Sequence, residues 1–213
     1  MKVLVACEYS GTVRDAFIRA GHQAMSCDLL PTDAPNWTYD PYTKIRKPIP
    51  GRGQHFQGDV RLLLDAEWDL LIAHPPCTYL SVSGMHWTTR GLREPKLTED
   101  ALDFVRLLMD APIERICIEN PVSVISSRIR KPDQIVQPYE YGCDASKKTC
   151  LWLKNLPKLT PTKYIEPRIV DGKKRWANQT DSGQNKLPPS ADRWKKRSET
   201  FVGIAEAMAQ QWS

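Results

Sequence analysis

A cysteine follows two prolines directly after an apolar run in the stretch "WDLLIAHPPCTYL". Pro75 and Pro76 make a stiff turn, and Cys77 comes next. A carboxylate, Glu119, ends another apolar run, "ERICIEN". A thiolate adds readily to an electron-poor ring carbon, and a carboxyl group that gives a proton to the ring nitrogen makes that carbon more electrophilic. Each residue alone is more often structural, but together they indicate nucleophilic chemistry on an aromatic ring.

Further acidic residues follow predicted strands at the start of the chain. Glu8 lies in "CEYSG", Asp28 comes 20 residues later, and Asp59 lies in "GDVRLLL". In dinucleotide-binding folds an acid at about this spacing binds ribose hydroxyls, and a third acid could take an exocyclic amine. The first stretch has one glycine, Gly11, where dinucleotide binders have three. This favours a nucleoside ligand without phosphates, such as S-adenosylmethionine.

The elements that must position these residues are predicted from apolar patterning. Strands are expected in "KVLVAC", "QAMSCDLLP", "WDLLIAH", "ERICIEN" and "KKTCLWLKN". Helices are expected in "GTVRDAFIRAGH", in "TEDALDFVRLLMDA" with Thr98 as its cap, and over 198–212; "GDVRLLLDAEW" predicts a turn and a short helix. Residues 31–57 and 78–97 are predicted to be long loops, the second a lid. Such alternation predicts an α/β fold with a doubly wound, mostly parallel sheet, whose ligands bind beyond the carboxyl ends of the strands.

Length and composition narrow the class of protein. A chain of 213 residues suits one domain, 1–213. No apolar run reaches membrane-spanning length, and Glu8 interrupts the N-terminal run too early for a signal peptide. The six cysteines form no C-x-x-C pair, which argues against a metal site and against a secreted disulfide scaffold. Reduced thiols in a cytoplasm fit best.

The charge is concentrated in one segment, 158–197, with 11 Lys and Arg against 4 Asp and Glu in a chain of net charge +5. Cations follow phosphates, and interleaved aromatic rings can stack on bases. The segment therefore indicates nucleic-acid binding, although a solvated basic face is the alternative for charge alone. The residues expected to bind nucleic acid here are Lys173, Lys174, Arg175, Trp176, Lys195, Lys196 and Arg197.

The order of these motifs resembles that of the DNA cytosine-5 methyltransferases. "HPPCTYLSVSG" resembles their Pro-Cys motif and "CIENP" their Glu-Asn-Val motif. "VACEYSGTVRDAFIRAGH" resembles, more loosely, their first cofactor motif, and "CDLLP" and "QGDVRLL" stand where further cofactor acids fall. "YGCDASKKTCLWL" and "FVGIAEAMAQQW" resemble the later strand motif and the closing helix. The resemblance covers nearly the whole chain and is greatest to short members encoded by phages or prophages.

This resemblance implies a Rossmann-like, S-adenosylmethionine-dependent methyltransferase fold in the cytoplasm of a bacterial or phage-infected host cell. It implies that Cys77 attacks carbon 6 of a flipped cytosine in duplex or single-stranded DNA while Glu119 engages ring nitrogen 3. Lys147 or Lys148 would hold a phosphate or the pyrimidine carbonyl. The implied cofactor site is Glu8, Tyr9, Ser10, Gly11, Asp28, Asp59, Val60 and Pro76; Ser81 and Arg90 join the basic residues above as DNA contacts.

Several departures from the family pattern leave other functions open. The first motif lacks the glycine cluster, Pro121 replaces the valine, and Lys147 and Lys148 stand in place of arginines. The basic insertion 158–197 occupies the place of a target recognition domain and is too short to be an independent domain. The alternatives are a catalytically inactive nucleic-acid-binding relative and an enzyme that modifies a free cytosine nucleotide.

Overall fold

A computed structural model describes residues 1–40, 44–191 and 193–213. Within these ranges the strands are β1 (Lys2–Ala6), β2 (Gln23–Asp28), β3 (Trp37–Asp40), β4 (Ile45–Pro48), β5 (Gln54–Gln57), β6 (Leu70–Ala73), β7 (Arg115–Pro121), β8 (Gln134–Val136), β9 (Thr149–Lys154), β10 (Arg168–Val170) and β11 (Lys173–Arg175). The helices are α1 (Thr12–Arg19), α2 (Val82–Thr89), α3 (Pro95–Met109), α4 (Ile125–Arg128), α5 (Arg193–Ser198) and α6 (Val202–Gln211). Among the described helices, none is long and apolar enough to cross a membrane.

Seven of the described strands form one central sheet in the order β5-β2-β1-β6-β7-β9-β8. The first five are parallel, and β9 runs antiparallel to both of its neighbours. The strand order reverses beside β1, which is the switch point where a doubly wound sheet opens a crevice for ligands. The predicted α/β fold with a doubly wound, mostly parallel sheet is therefore confirmed.

The sheet separates two apolar layers because successive side chains of a strand point to opposite faces. Val3 and Val5 of β1 pack in the layer that contains α1 and α6. Leu4 and Ala6 pack in the layer that contains α3. All four side chains are fully buried. This alternation also decides which residues meet at the carboxyl ends of the strands.

Two regions predicted to be loops contain regular structure. Within 31–57 the chain forms the hairpin β3–β4 and the edge strand β5, while residues 41–43 lie outside the described part. Within 78–97 it forms α2 and the start of α3, so the prediction of a long irregular loop there is wrong. Thr98 is buried inside α3 rather than capping it, because the helix begins earlier, at Pro95.

The basic segment 158–197 packs through an aromatic cluster. The rings of Trp176 and Tyr139 stack with centroids 4.2 Å apart, and Tyr164 meets Tyr139 edge-on at 5.5 Å. Trp176 is buried, and its ring Nε1 donates to the carbonyl of Ile165. This tryptophan therefore anchors the segment and has no exposed face on which a base could stack.

A buried arginine joins the first helix to the sheet and to the loop after β2. Arg14 is fully buried, and its Nε donates to Asp15 at 2.7 Å. Its Nη1 and Nη2 donate to Ser26 Oγ at 3.0 Å and to the carbonyl of Ala34 at 2.6 Å. Asp15 also accepts from the backbone of Gly53. This network fixes α1 against β2 and thereby sets the start of the helix at the ligand edge of the sheet.

Candidate active site

The carboxyl ends of the parallel strands open into a cavity of about 1260 Å³. Sites for one small ligand usually measure roughly 300–1,000 Å³, so this cavity has room for two ligands side by side. Twelve of the residues singled out from the sequence line it: Glu8, Tyr9, Ser10, Asp28, Pro76, Cys77, Ser81, Glu119, Lys147, Lys148, Lys196 and Arg197. Among the described residues, no group of three or more His, Cys, Asp or Glu side chains is placed to hold a metal ion.

Cys77 is presented by a turn that the neighbouring strand holds in place. The Asn120 side chain, which is buried, donates to the carbonyl of Pro75 at 2.7 Å. After the prolines the chain turns at once, since the Leu80 and Ser81 amides donate to the Cys77 carbonyl at 3.1 and 2.8 Å. The thiol is half-buried and lines the cavity. Both residues of the Glu-Asn pair thus line the cavity, and Asn120 also supports the Pro-Pro turn.

Glu119 meets a histidine that the sequence motifs did not single out as functional. Ala73 of β6 pairs with Ile118 of β7, so one further step in this register sets His74 opposite Glu119. His74 Nδ1 and Glu119 Oε2 are 2.9 Å apart, and their side chains are 8% and 10% exposed. Both line the cavity. The signal for His74 was its position one residue past a buried strand, on the same face as Glu119.

The charges around Cys77 and Glu119 set their pKa values in opposite directions. Burial and the nearby Glu119 carboxylate raise the pKa of Cys77, and the ammonium of Lys147 opposes this. Burial alone would raise the pKa of Glu119, but the hydrogen bond and charge of His74, with smaller effects from Lys147 and Thr149, hold it below the ordinary value. In the resting site Glu119 is a carboxylate and Cys77 a thiol, so the thiolate must form when substrate binds.

The first helix begins against a carboxylate of the chain itself. Glu8 accepts from the amides of Val13 and Arg14 at 2.6 and 3.2 Å and is buried. The helix N-terminus, where a phosphate would otherwise bind, is therefore closed. Gly11 adopts a φ of 73°, and a Cβ atom there would lie 2.4 Å from the Arg14 guanidinium, so this glycine serves the turn. The start of this helix is thus stabilised from within the chain.

The two remaining acids predicted for the cofactor take different positions. Asp28 ends β2, lines the cavity and accepts from the Leu30 amide at 2.9 Å. Asp59 is absent from the cavity lining among the described residues, because its carboxylate caps a short 3-10 turn and pairs with Arg61 at 3.0 Å. Val60, beside it, is buried in the apolar layer that contains α3. Of Asp28, Asp59 and Val60, Asp28 is therefore the one that lines the cavity together with Glu8.

A strap made of residues 195–201 crosses the cavity and is tied down at both sides. On one side the Tyr9 hydroxyl donates to the Lys195 carbonyl at 2.6 Å, and Lys195 pairs with Asp33 at 2.8 Å. On the other side Lys147 Nζ donates to the carbonyls of Arg197 and Glu199 at 2.9 and 3.3 Å. Tyr9, Lys147 and Lys195, for which the sequence predicted three different roles, are thus joined by hydrogen bonds and an ion pair through the strap.

Several predicted DNA contacts lie away from the cavity lining. Arg90 is exposed at the end of α2. Lys173 and Lys174 are exposed on β11, and the Arg175 guanidinium donates to the carbonyl of Asp181 at 2.9 Å. Two exposed aromatic residues do line the cavity: Trp87 on α2, from the segment predicted to be a lid, and Trp194 on α5, from the basic segment. They are 49% and 58% exposed. The sequence signal for Trp194 was its place in "RWKKR".

No family model matches this chain, and a search of curated proteins finds no match. Solved structures with a similar fold include the following two. One, from E. coli, is described as a DNA modification methyltransferase encoded within a prophage: identity is 16%, the TM-score is 0.45, and the match covers 99% of this chain and 69% of that one. The other, the methyltransferase EhMeth of Entamoeba histolytica, is 15% identical with a TM-score of 0.47, over 78% of this chain and 58% of that one. At these identities and scores the function rests on the geometry of the site.

Proposed function

We propose that this protein transfers a methyl group from S-adenosylmethionine to carbon 5 of a cytosine in DNA, through a covalent bond between Cys77 and carbon 6 of the ring. The observation that carries the proposal is the pairing of Cys77 and Glu119 in one cavity, at the ends of the adjacent strands β6 and β7. A thiol and a carboxyl group are the two functions needed to add to a pyrimidine ring and activate it.

The chain's own residues account for each change of charge on the ring. Cys77, as thiolate, forms the sulfur–carbon 6 bond while Glu119 engages nitrogen 3, so the displaced electron pair is held on the ring as an enamine. S-adenosylmethionine, when bound, supplies the methyl group that carbon 5 takes. The carbon 5 proton then passes to solvent, its bonding pair forms the double bond between carbons 5 and 6, and Cys77 departs as a thiolate with the sulfur–carbon pair. In a duplex the base must first leave the stack.

The cofactor would lie at the ends of β1 and β2. Asp28 would accept from ribose hydroxyls, and Glu8, Tyr9 and Ser10 line the same cavity. The closed N-terminus of α1 leaves no cradle for a phosphate there. The remaining half of the cavity, near Cys77 and Glu119, would receive the base, with DNA phosphates on Lys196 and Arg197 at the rim.

A parallel assay on three substrates tests this function. Purified protein is incubated with labelled S-adenosylmethionine and duplex DNA, single-stranded DNA or dCMP, and the nucleosides are separated. The expected product is labelled 5-methyldeoxycytidine from a polymer. Label in the dCMP reaction alone would move the substrate to a free nucleotide. Folded protein that labels none of the three would overturn methyl transfer.

Two cysteine variants test the nucleophile. Cys77→Ser should abolish turnover and leave the affinity for S-adenosylmethionine, measured by calorimetry, nearly unchanged. The control is Cys143→Ser, since Cys143 is also half-buried but is not among the described residues of the cavity. DNA containing 5-fluorocytosine should trap a covalent adduct with wild type and with the control. Full activity in Cys77→Ser would mean that the nucleophile is a different group.

A further inference from the structure

His74 connects the two buried carboxylates of the site. It is the residue just after β6, and its backbone amide extends the sheet by donating to the Ala6 carbonyl at 2.9 Å. Its side chain is 8% exposed and bonds Glu119 through Nδ1 at 2.9 Å. Its Nε2 is buried and has no hydrogen-bond partner among the described residues. A buried polar atom without a partner is costly, so its retention beside a reactive carboxylate indicates a role.

Two charged groups act on this imidazole directly, and a third acts on its partner Glu119. Glu119 faces it from β7, and Glu8, in the turn after β1, interacts electrostatically with it. Burial raises the pKa of Glu8, and His74 is the largest of the influences that lower it again. Lys147, before β9, acts electrostatically on Glu119. The imidazole of His74 therefore interacts with two buried carboxyl groups, one through a hydrogen bond and one electrostatically.

The addition to cytosine raises a proton problem that Glu119 cannot solve alone. Because the pKa of Glu119 is held below the ordinary range, it is a carboxylate at neutral pH. A carboxylate accepts hydrogen bonds and has no proton to give to nitrogen 3. The donor must lie within hydrogen-bond reach of Glu119. His74 Nδ1, at 2.9 Å, meets this requirement.

We propose that His74 is a positioning residue that fixes Glu119 in the cavity and passes it the proton that ring nitrogen 3 receives. This inference rests on the proposed methyl transfer and names the proton source for it. In the forward step the Nδ1–H bond breaks as an O–H bond forms on Glu119, and Glu119 releases one proton to nitrogen 3. When Cys77 departs and the ring regains its aromatic electrons, nitrogen 3 returns a proton to Glu119, and Glu119 returns one to Nδ1. The pair ends as it began.

The variant His74→Asn separates the two parts of this role. The asparagine Nδ2 stands near the position of Nδ1 and can still donate to Glu119, but an amide does not carry a transferable proton at neutral pH. We expect kcat to fall by about 100-fold or more, the loss typical of a general acid, with the KM for DNA nearly unchanged. The decline of wild-type kcat at high pH, where the pair loses its proton, should be missing in the variant.

Controls make the outcome specific. His22→Asn, at the opposite edge of the sheet near Ser213, should leave the rate unchanged. In a Glu119→Gln background, His74→Asn should cost nothing further, because His74 acts through Glu119. If His74→Asn keeps the wild-type kcat and pH profile, the residue is a hydrogen-bond donor only and the inference is overturned.

An NMR titration distinguishes failure of this inference from failure of the proposed function. The ring resonances of His74 should titrate differently in wild type and in Glu119→Gln, because the two side chains share a proton. This measurement needs no methyl transfer. Identical titration curves would overturn the inference even in an active enzyme. The titration of His74 in the wild type could depend on Glu119 while no substrate is methylated. That outcome would refute the proposed function and, with it, the transfer of the proton to ring nitrogen 3.

Discussion

Replacing Lys186 and Lys196 with alanine should flatten the salt dependence of DNA binding by a predictable amount. Both ammonium groups are exposed and line the cavity, so we expect both to contact phosphates beside the target base. Each neutralised phosphate contributes about 0.9 to the slope of log affinity against log salt for a duplex, or about 0.7 for a single strand. Two contacts give a slope change of about 1.8 or about 1.4. Between about 50 and 200 mM salt, the ratio of the wild-type affinity for duplex DNA to that of the variant should fall about 12-fold.

Fluorescence anisotropy with labelled DNA at several salt concentrations measures this slope. The control is Lys131→Ala with Lys158→Ala, which removes the same two charges at exposed positions near the opposite edge of the sheet. The control should keep the wild-type slope, because the phosphates do not reach that edge. Equal slopes for wild type and the Lys186 and Lys196 variant would refute the reasoning. An equal decrease of the slope in both double variants would show that net charge alone causes the effect.

Three further predictions follow from single side chains. Arg14→Met should lower the free energy of unfolding in urea by about 3–5 kcal/mol, since it leaves a buried carboxylate unpaired, whereas half-exposed Arg19→Met should stay within about 0.5 kcal/mol. Glu119→Gln should speed alkylation of Cys77 by iodoacetamide at neutral pH, because it removes a charge that raises the thiol pKa; an unchanged rate by peptide mass spectrometry would contradict this. Trp194→Ala should weaken single-stranded DNA binding by about 1–3 kcal/mol without changing Tm; unchanged affinity would mean that no base stacks there.

The sequence predicted the buried strands well and the polar ones poorly. The strands β1, β6, β7 and β9 each contain a continuous apolar run, as expected for strands covered on both faces, whereas β2 mixes apolar and polar residues. The edge strand β5, "QHFQ", is mostly polar and is ordered by pairing with β2, which local pattern does not reveal. Likewise α2 has little amphipathic character, so its sequence resembles that of a loop.

Within the site, the sequence indicated residues whose position follows from strand ends and missed those defined by distant partners. Cys77 and Glu119 were identified because carboxyl ends of parallel strands meet at one edge. His74 needed the cross-strand register, which fixes its contact with Glu119. Asp59 and Trp176 were expected to face ligands, yet Asp59 pairs with Arg61 and Trp176 stacks on Tyr139. Charge and aromaticity alone do not tell whether a side chain is engaged within the protein.

The strap of residues 195–201 explains how a short basic insertion could serve in place of a recognition domain. Its backbone is tied to Tyr9 at one side of the cavity and to Lys147 at the other, and Lys196 and Arg197 line the same cavity as Cys77. A phosphate held by Lys196 or Arg197 would therefore place the neighbouring nucleotide at a defined distance from Cys77. Phosphate contacts position a chain without reading its sequence. We accordingly expect target selection that extends over one or two bases beside the cytosine, or over none.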